Sequence, residues 1–175
     1  MAHFDHPVMD LPASYYSAVG EFMFRFAQLE YQLHEIIWMA MDLGYQQGRI
    51  LTIGTDFRVL SATIKTITRP DARVWVKNKT IIQEMNSIVG NGRKHYGLRN
   101  KIAHGSWQSP DGSPKNARLH FMKQEDERIL PRHDKTLNDQ RIHRHAGELR
   151  TLNHRAKKLI EQLYAGRPIP PVRSA

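Results

Sequence analysis

The sequence predicts an all-α fold, a four-to-five-helix bundle in which each helix turns one apolar stripe toward a shared core. Three observations carry that expectation. Apolar residues recur at alternating three- and four-residue steps over long stretches. Prolines and glycines fall between those stretches. Only residues 106–124 depart, with a proline-glycine turn flanked by two short strand-like runs, which reads as a small β-hairpin inserted before the last helix. A chain of 175 residues with 40% hydrophobic and 25% charged composition suits one domain. That domain is expected over residues 1–166, with a flexible proline-rich tail at 167–175.

The first helix is expected over residues 13–43, where Val19, Phe22, Phe26, Leu29, Leu33, Ile36 and Ala40 form the stripe and Gly44 is the stop. A second stripe, Ile53, Phe57, Leu60, Ile64 and Ile67, marks a helix closed by Arg69-Pro70, with Asp71 placed to cap the next one. The third covers residues 72–104 through Ile82, Met85, Val89, Tyr96 and Ala103. Gly90, Gly92 and Gly97 predict a kink or break in it, and Gly105 a C-terminal cap. Trp107-Gln108 and residues 117–122 flank the turn at residues 109–114. Residues 125–128 form a solvated charge run, and Pro131 begins another loop. From a cap at Thr136, the last long helix carries Ile142, Ala146, Leu149, Ala156, Ile160 and Leu163, with Asn153 the only polar member of its stripe.

Many chemistries are excluded by inspection. The absence of cysteine removes disulfides, cysteine nucleophiles and thiolate metal sites. No apolar run approaches the roughly 20 residues of a membrane span, and the start of the chain lacks the basic and apolar regions of a signal peptide, so a cytoplasmic location is expected. His34-Glu35 begins like a helical zinc-protease motif, but Trp38 stands where the second histidine belongs. Gly90-Asn91-Gly92 lacks a preceding strand and a third glycine, His95 standing in its place. Neither a phosphate-binding loop nor a serine nucleophile elbow occurs. His143 and His145, two apart on a helix, point to nearly opposite sides and cannot share one ion. His3 and His6 make only a weak metal pair, and no metal or cofactor is expected.

Charge narrows the field. Lys and Arg number 26 against 17 Asp and Glu, a net +9, which favours polyanionic partners, nucleic acid before an anionic membrane surface. Between Met85 and Pro110 no acidic residue occurs, while Arg93, Lys94, Arg99 and Lys101 sit there with His95 and His104. At its centre lies Arg99-Asn100-Lys101-Ile102-Ala103-His104-Gly105. The bare spacing of arginine and histidine is cheap, since about one such pair is expected from composition, and Arg128 with His133 repeats it. The full string at the end of an amphipathic helix is not cheap.

That string resembles the signature of the HEPN superfamily (higher eukaryotes and prokaryotes nucleotide-binding domains), an Arg-x4–6-His motif in which a polar residue often follows the arginine. Phe26-Ala27-Gln28-Leu29-Glu30 on the first helix, the Gly105-Ser106-Trp107 exit and the long final helix suit small HEPN-like proteins as well. The resemblance spans most of the chain, but only the motif is specific. It implies a metal-independent ribonuclease, commonly a homodimer whose two motifs face each other in a cleft, of toxin, phage-defence or RNA-turnover type, with an antitoxin or other regulator as a further partner.

The residue chemistry is consistent with that implication. His104 can exchange protons near neutrality. Arg99 offers a permanent charge and a planar donor fork for phosphate. Asn100 can orient the histidine or donate to the phosphate, while Arg93, Lys94 and Lys101 can hold the RNA backbone. Tyr96, Trp107 and His95 can stack on bases, although core packing is the commoner role for Trp107, and Tyr96 suits either. Five residues on a straight helix turn through about 500° and rise about 7.5 Å, which leaves Arg99 and His104 about 140° apart. A site composed across a dimer axis relieves that. Other readings stand beside this one. His104 can complement the helix dipole, and Arg99 can be a tether to Glu30, which could equally hold the arginine ready for catalysis. The basic face of the last helix (His143, Arg150, His154, Lys157) is either phosphate-binding or simply solvated. The alternative function is a non-catalytic module of the same fold binding RNA or a protein partner.

Overall fold

The computed structural model describes residues 10–108, 118–125, 128–134 and 137–167. Five helices and one small sheet are found among them: α1 (Ala13–Ala40), α2 (Tyr45–Thr52), α3 (Phe57–Ile67), α4 (Lys79–His104), β1 (Ser106–Gln108), β2 (Arg118–Glu125), β3 (Arg128–Asp134) and α5 (Asp139–Ala165). The protein is an all-α bundle with a β insertion before the last helix, as the periodicity predicts. No helix among the described residues is long and apolar enough to cross a membrane.

α1 and α5 form the main seam of the bundle. Ala18, Phe22, Phe26, Leu29, Leu33 and Ile36 of α1 are fully buried against Ile142, Ala146, Leu149, Ala156 and Leu163 of α5. The polar Asn153 on the α5 stripe is paired in part: its Nδ2–H donates to Arg25 O at 2.9 Å and its backbone O accepts from Gln32 Nε2–H at 3.1 Å, while its Oδ1 is buried with no partner among the described residues. α3 lays Phe57, Leu60 and Ile64 into the same core, and α4 adds Met85, Ile88 and Val89.

Several boundaries differ from the sequence reading. α1 ends at Ala40, and Tyr45–Thr52 forms a separate helix, α2. Ile53 closes α2 and is 78% exposed, so it is not part of the α3 stripe. α3 starts at Phe57, capped by Asp56, whose carboxylate accepts from Val59 N–H at 3.0 Å. α4 begins at Lys79 rather than near residue 72; its cap is Asn78, accepting from Thr80 N–H at 2.9 Å, and not Asp71. The glycines do not break α4, which runs continuously for 26 residues. Gly105 is its cap, but in an extended conformation rather than a left-handed one.

The expected hairpin is present in β1 and β2, paired antiparallel with Trp107 opposite Leu119. A third strand joins it, giving the order β1-β2-β3, with Leu119 opposite Asp134 and Glu125 opposite Arg128. The backbone at Arg128 and Pro131 is therefore strand, not loop. α5 is capped by Asn138, whose side chain accepts from Arg141 N–H at 2.8 Å. The predicted cap Thr136, the turn at 109–114, His3, His6 and the tail at 168–175 lie outside the described residues.

Candidate functional site

The end of α4 meets α1 and the start of α3, and the motif lies there. Phe57 opens α3, and its N–H donates to Glu30 Oε1 of α1 at 3.1 Å. That bond satisfies one of the orphan donors of a helix N-terminus with a carboxylate from a neighbouring helix. Burial holds the Glu30 carboxyl above the usual carboxylate range; the nearby Arg99 guanidinium and the Phe57 amide pull it back in part, and Asp56 adds to the rise. Glu30 and Arg99 thus sense each other across the α1–α4 seam.

Arg99 is itself half-buried, and its Nη1–H donates to Asn100 Oδ1 at 3.2 Å. Tyr96 lies one turn earlier. Its ring stacks on Phe57, with centroids 5.4 Å apart, and its O–H donates to Asp56 Oδ2 at 3.4 Å. Glu30, Tyr96, Arg99 and Asn100 therefore belong to one polar corner. His104 is the last residue of α4 and is exposed. Because α4 is unbroken between them, Arg99 and His104 diverge as helix geometry requires, and no hydrogen bond or ion pair among the described residues joins them.

The remaining predicted residues are placed as follows. Arg93 and Lys94 are exposed on α4, and Lys94 Nζ–H donates to Asn91 Oδ1 at 3.3 Å. Lys101 is engaged by Asp134 of β3 at 3.3 Å, which ties the end of α4 to the sheet. Trp107 packs edge-to-face on Tyr15 at 5.3 Å. On the basic face of α5, Glu21 of α1 takes a hydrogen bond from Arg150 Nη2 at 2.7 Å and lies 3.4 Å from His143 Nδ1. One carboxylate thereby offsets two members of that face. Hydrogen bonds from Arg150 first, then His143, hold Glu21 below the usual carboxylate range.

His95 corrects the sequence reading. It is 3% exposed and turned into the seam with α5, so it offers no ring for base stacking. There it meets His145, ring centroids 5.3 Å apart and nearly perpendicular, and Glu148. Sequence reasoning missed this cluster because its parts are 50 residues apart; the only local signal was the His145, Glu148 spacing of three on one helix face. No family model, curated protein or solved structure matches the chain.

Proposed function

We propose that the protein is a metal-independent RNA endonuclease of the HEPN type, with Arg99 and His104 as its catalytic residues and Asn100 in support. The observation that carries the reading is the arrangement of the motif. Arg99 is held by Asn100 and faces the Glu30 charge, while His104 projects into solvent from the helix end. A guanidinium fixed in this way can receive a phosphate without the cost of ordering a free side chain. An exposed imidazole can reach a substrate.

In this reading His104 removes the proton of an RNA 2′-hydroxyl. The oxygen attacks the adjacent phosphorus, the bond to the 5′-oxygen breaks, and that oxygen leaves as it gains a proton. The products carry 2′,3′-cyclic phosphate and 5′-hydroxyl ends. Arg99 offsets the charge on the phosphate oxygens. The divergence of Arg99 and His104 on one unbroken helix favours a homodimer, in which His104 of one protomer and Arg99 of its partner address the same phosphate. Arg93 and Lys94 extend the basic surface for the RNA backbone. The setting is a cytoplasmic toxin, defence or turnover factor, held in check by an antitoxin or other regulator.

The second reading is a non-catalytic module that binds RNA or a protein. It is favoured by the approach of Glu30 to Arg99, which also suits a structural tether. Cleavage of a mixed RNA pool in excess EDTA separates the two. Wild type should cut and leave cyclic phosphate ends, whereas Arg99→Ala and His104→Ala, shown folded by circular dichroism, should lose about 10²-fold or more in rate. Equal traces from all three proteins, or none from a folded wild type, would remove the nuclease reading.

A further inference from the structure

We propose that His95 of α4, with His145 and Glu148 of α5, forms a binding site for one first-row divalent metal ion of the zinc type, and the proposal stands independently of the ribonuclease reading. One carboxylate oxygen, Glu148 Oε2, lies 3.6 Å from His95 Nε2 and 3.7 Å from His145 Nδ1. One ligating atom from each residue lies within 4.8 Å of the others. Both carboxylate contacts are too long for good hydrogen bonds and close to the span that a shared ion sets. With metal–nitrogen and metal–oxygen bonds of about 2.0–2.1 Å, neighbouring ligand atoms in a tetrahedral site are about 3.3 Å apart. A closure of a few tenths of an ångström, mainly by the side chain of Glu148, would bring the carboxylate to that spacing.

One further observation points the same way. His145 Nδ1, the atom turned toward the carboxylate, is buried and has no hydrogen-bond partner among the described residues, and neither has His95 Nδ1. Buried polar nitrogens without partners are costly, and a cation at the carboxylate would supply the partner that His145 Nδ1 lacks, with His95 ligating through Nε2.

The donor set selects the class of ion. Two nitrogens and one oxygen suit zinc and its first-row neighbours, whereas magnesium and calcium prefer oxygen alone. His95 is 3% exposed, His145 24% and Glu148 53%, so the ion would be held at the inner end of a seam that opens to water. Three protein ligands leave a fourth position for a water molecule. Bound there, the ion would pin α4 to α5 one helical turn before Arg99.

The test uses the full chain, stripped with chelator and titrated with Zn²⁺ in competition with a chromophoric zinc indicator. Cobalt substitution reads the geometry through its visible absorption. One ion per chain is expected. Affinity should fall about tenfold or more in His145→Ala and in Glu148→Gln, and stay at the wild-type value in His143→Ala and in the double variant His3→Ala/His6→Ala. Because His95→Ala removes a buried ring and can unfold the chain, the two more exposed ligands carry the test. The proposal is overturned if folded wild type takes up no stoichiometric ion, if His145→Ala and Glu148→Gln bind as tightly as wild type, or if the N-terminal double variant abolishes uptake.

Discussion

Gly92 lies in the middle of α4, where alanine is normally the better residue by about 1 kcal/mol. Here the prediction is the opposite. A Cβ added at Gly92 would stand 2.8 Å from both Cε2 and Cζ of Phe57 and 3.1 Å from Cδ2 of Leu29. Carbon atoms prefer about 3.5–4.0 Å, so the overlap with the ring is about 0.7 Å at two atoms. The ring cannot swing away cheaply. It is 1% exposed, with Phe26 at 5.5 Å and Tyr96 at 5.4 Å between centroids. Overpacking of this kind costs about 1–3 kcal/mol. With the ring clamped the upper part of that range applies, and the helix gain is more than offset.

The expected net effect of Gly92→Ala is a loss of about 1–2 kcal/mol, which for a chain of this length lowers Tm by about 2–8 °C. Gly90→Ala and Gly97→Ala are the internal controls. Both positions are on the same helix and exposed, and an added Cβ meets nothing within 4 Å. Each should gain about 0.5–1 kcal/mol. Urea titrations followed by far-ultraviolet circular dichroism, with a common m-value, measure all three. If Gly92→Ala proves as stable as Gly97→Ala, α4 and α3 are not in the close contact described, and the reasoning fails.

Thr52→Val should destabilise by about 1–3 kcal/mol in the same titration, because Trp38 Nε1–H donates to Thr52 Oγ1 at 3.0 Å in a buried setting and valine leaves that donor without an acceptor. Glu84 is held below the usual carboxylate range chiefly by its hydrogen bonds from Arg155, at 2.8 and 2.9 Å. Its stabilisation is therefore fully present above the unfolded-state pKa and is lost as pH falls through the lower folded value. Glu84→Gln should flatten the acid limb of a stability–pH curve, by roughly 1 kcal/mol for a partly exposed pair. Glu30 has the opposite sign: its raised pKa makes the fold less stable as pH rises through the carboxylate range. Arg99→Ala should push the Glu30 pKa up further, read by carboxyl-carbon NMR titration; an unchanged or lowered value would mean that the two side chains do not interact.

The long helices were legible because their stripes are long. α1 and α5 keep an uninterrupted helical period, and burial follows it almost residue by residue. α2 was not legible, since its eight residues bury only Gly48 and Thr52 and leave Ile50 and Leu51 exposed, so no stripe exists to be read. The early start expected for α4 came from Asp71, read as a cap after Pro70, yet Val74, Trp75 and Val76 are not helical. They do pack against the core, but from a connecting segment in which Trp75 Nε1–H donates to Met39 O at 2.8 Å. β3 was hidden by Pro131 and the charges before it, which propensity assigns to loops; backbone pairing with β2 overrides that. Arg99, Asn100 and His104 were visible as a contiguous string, and Glu30 through its place beside the α1 stripe. The imidazole cluster depends on the packing of α4 on α5, which one sequence does not display.

That packing also shows how α4 serves two neighbours at once. His95 and Arg99 are four residues apart, so on the helix they differ by about 40° and one turn. The difference is enough to face His95 toward His145 on α5 and Arg99 toward Glu30 on α1. The Arg99 side also depends on an approach three residues before His95. Because Gly92 has no side chain, Phe57 can lie against α4; because Phe57 lies there, its amide reaches Glu30; and Glu30, so placed, sets the charge beside Arg99. A methyl group at position 92 acts on the first link of that sequence. The shift it imposes on Phe57 should appear in the Glu30 titration as well as in the melting temperature, while the residues of α5 that face His95 lie outside the sequence of contacts and should be unaffected.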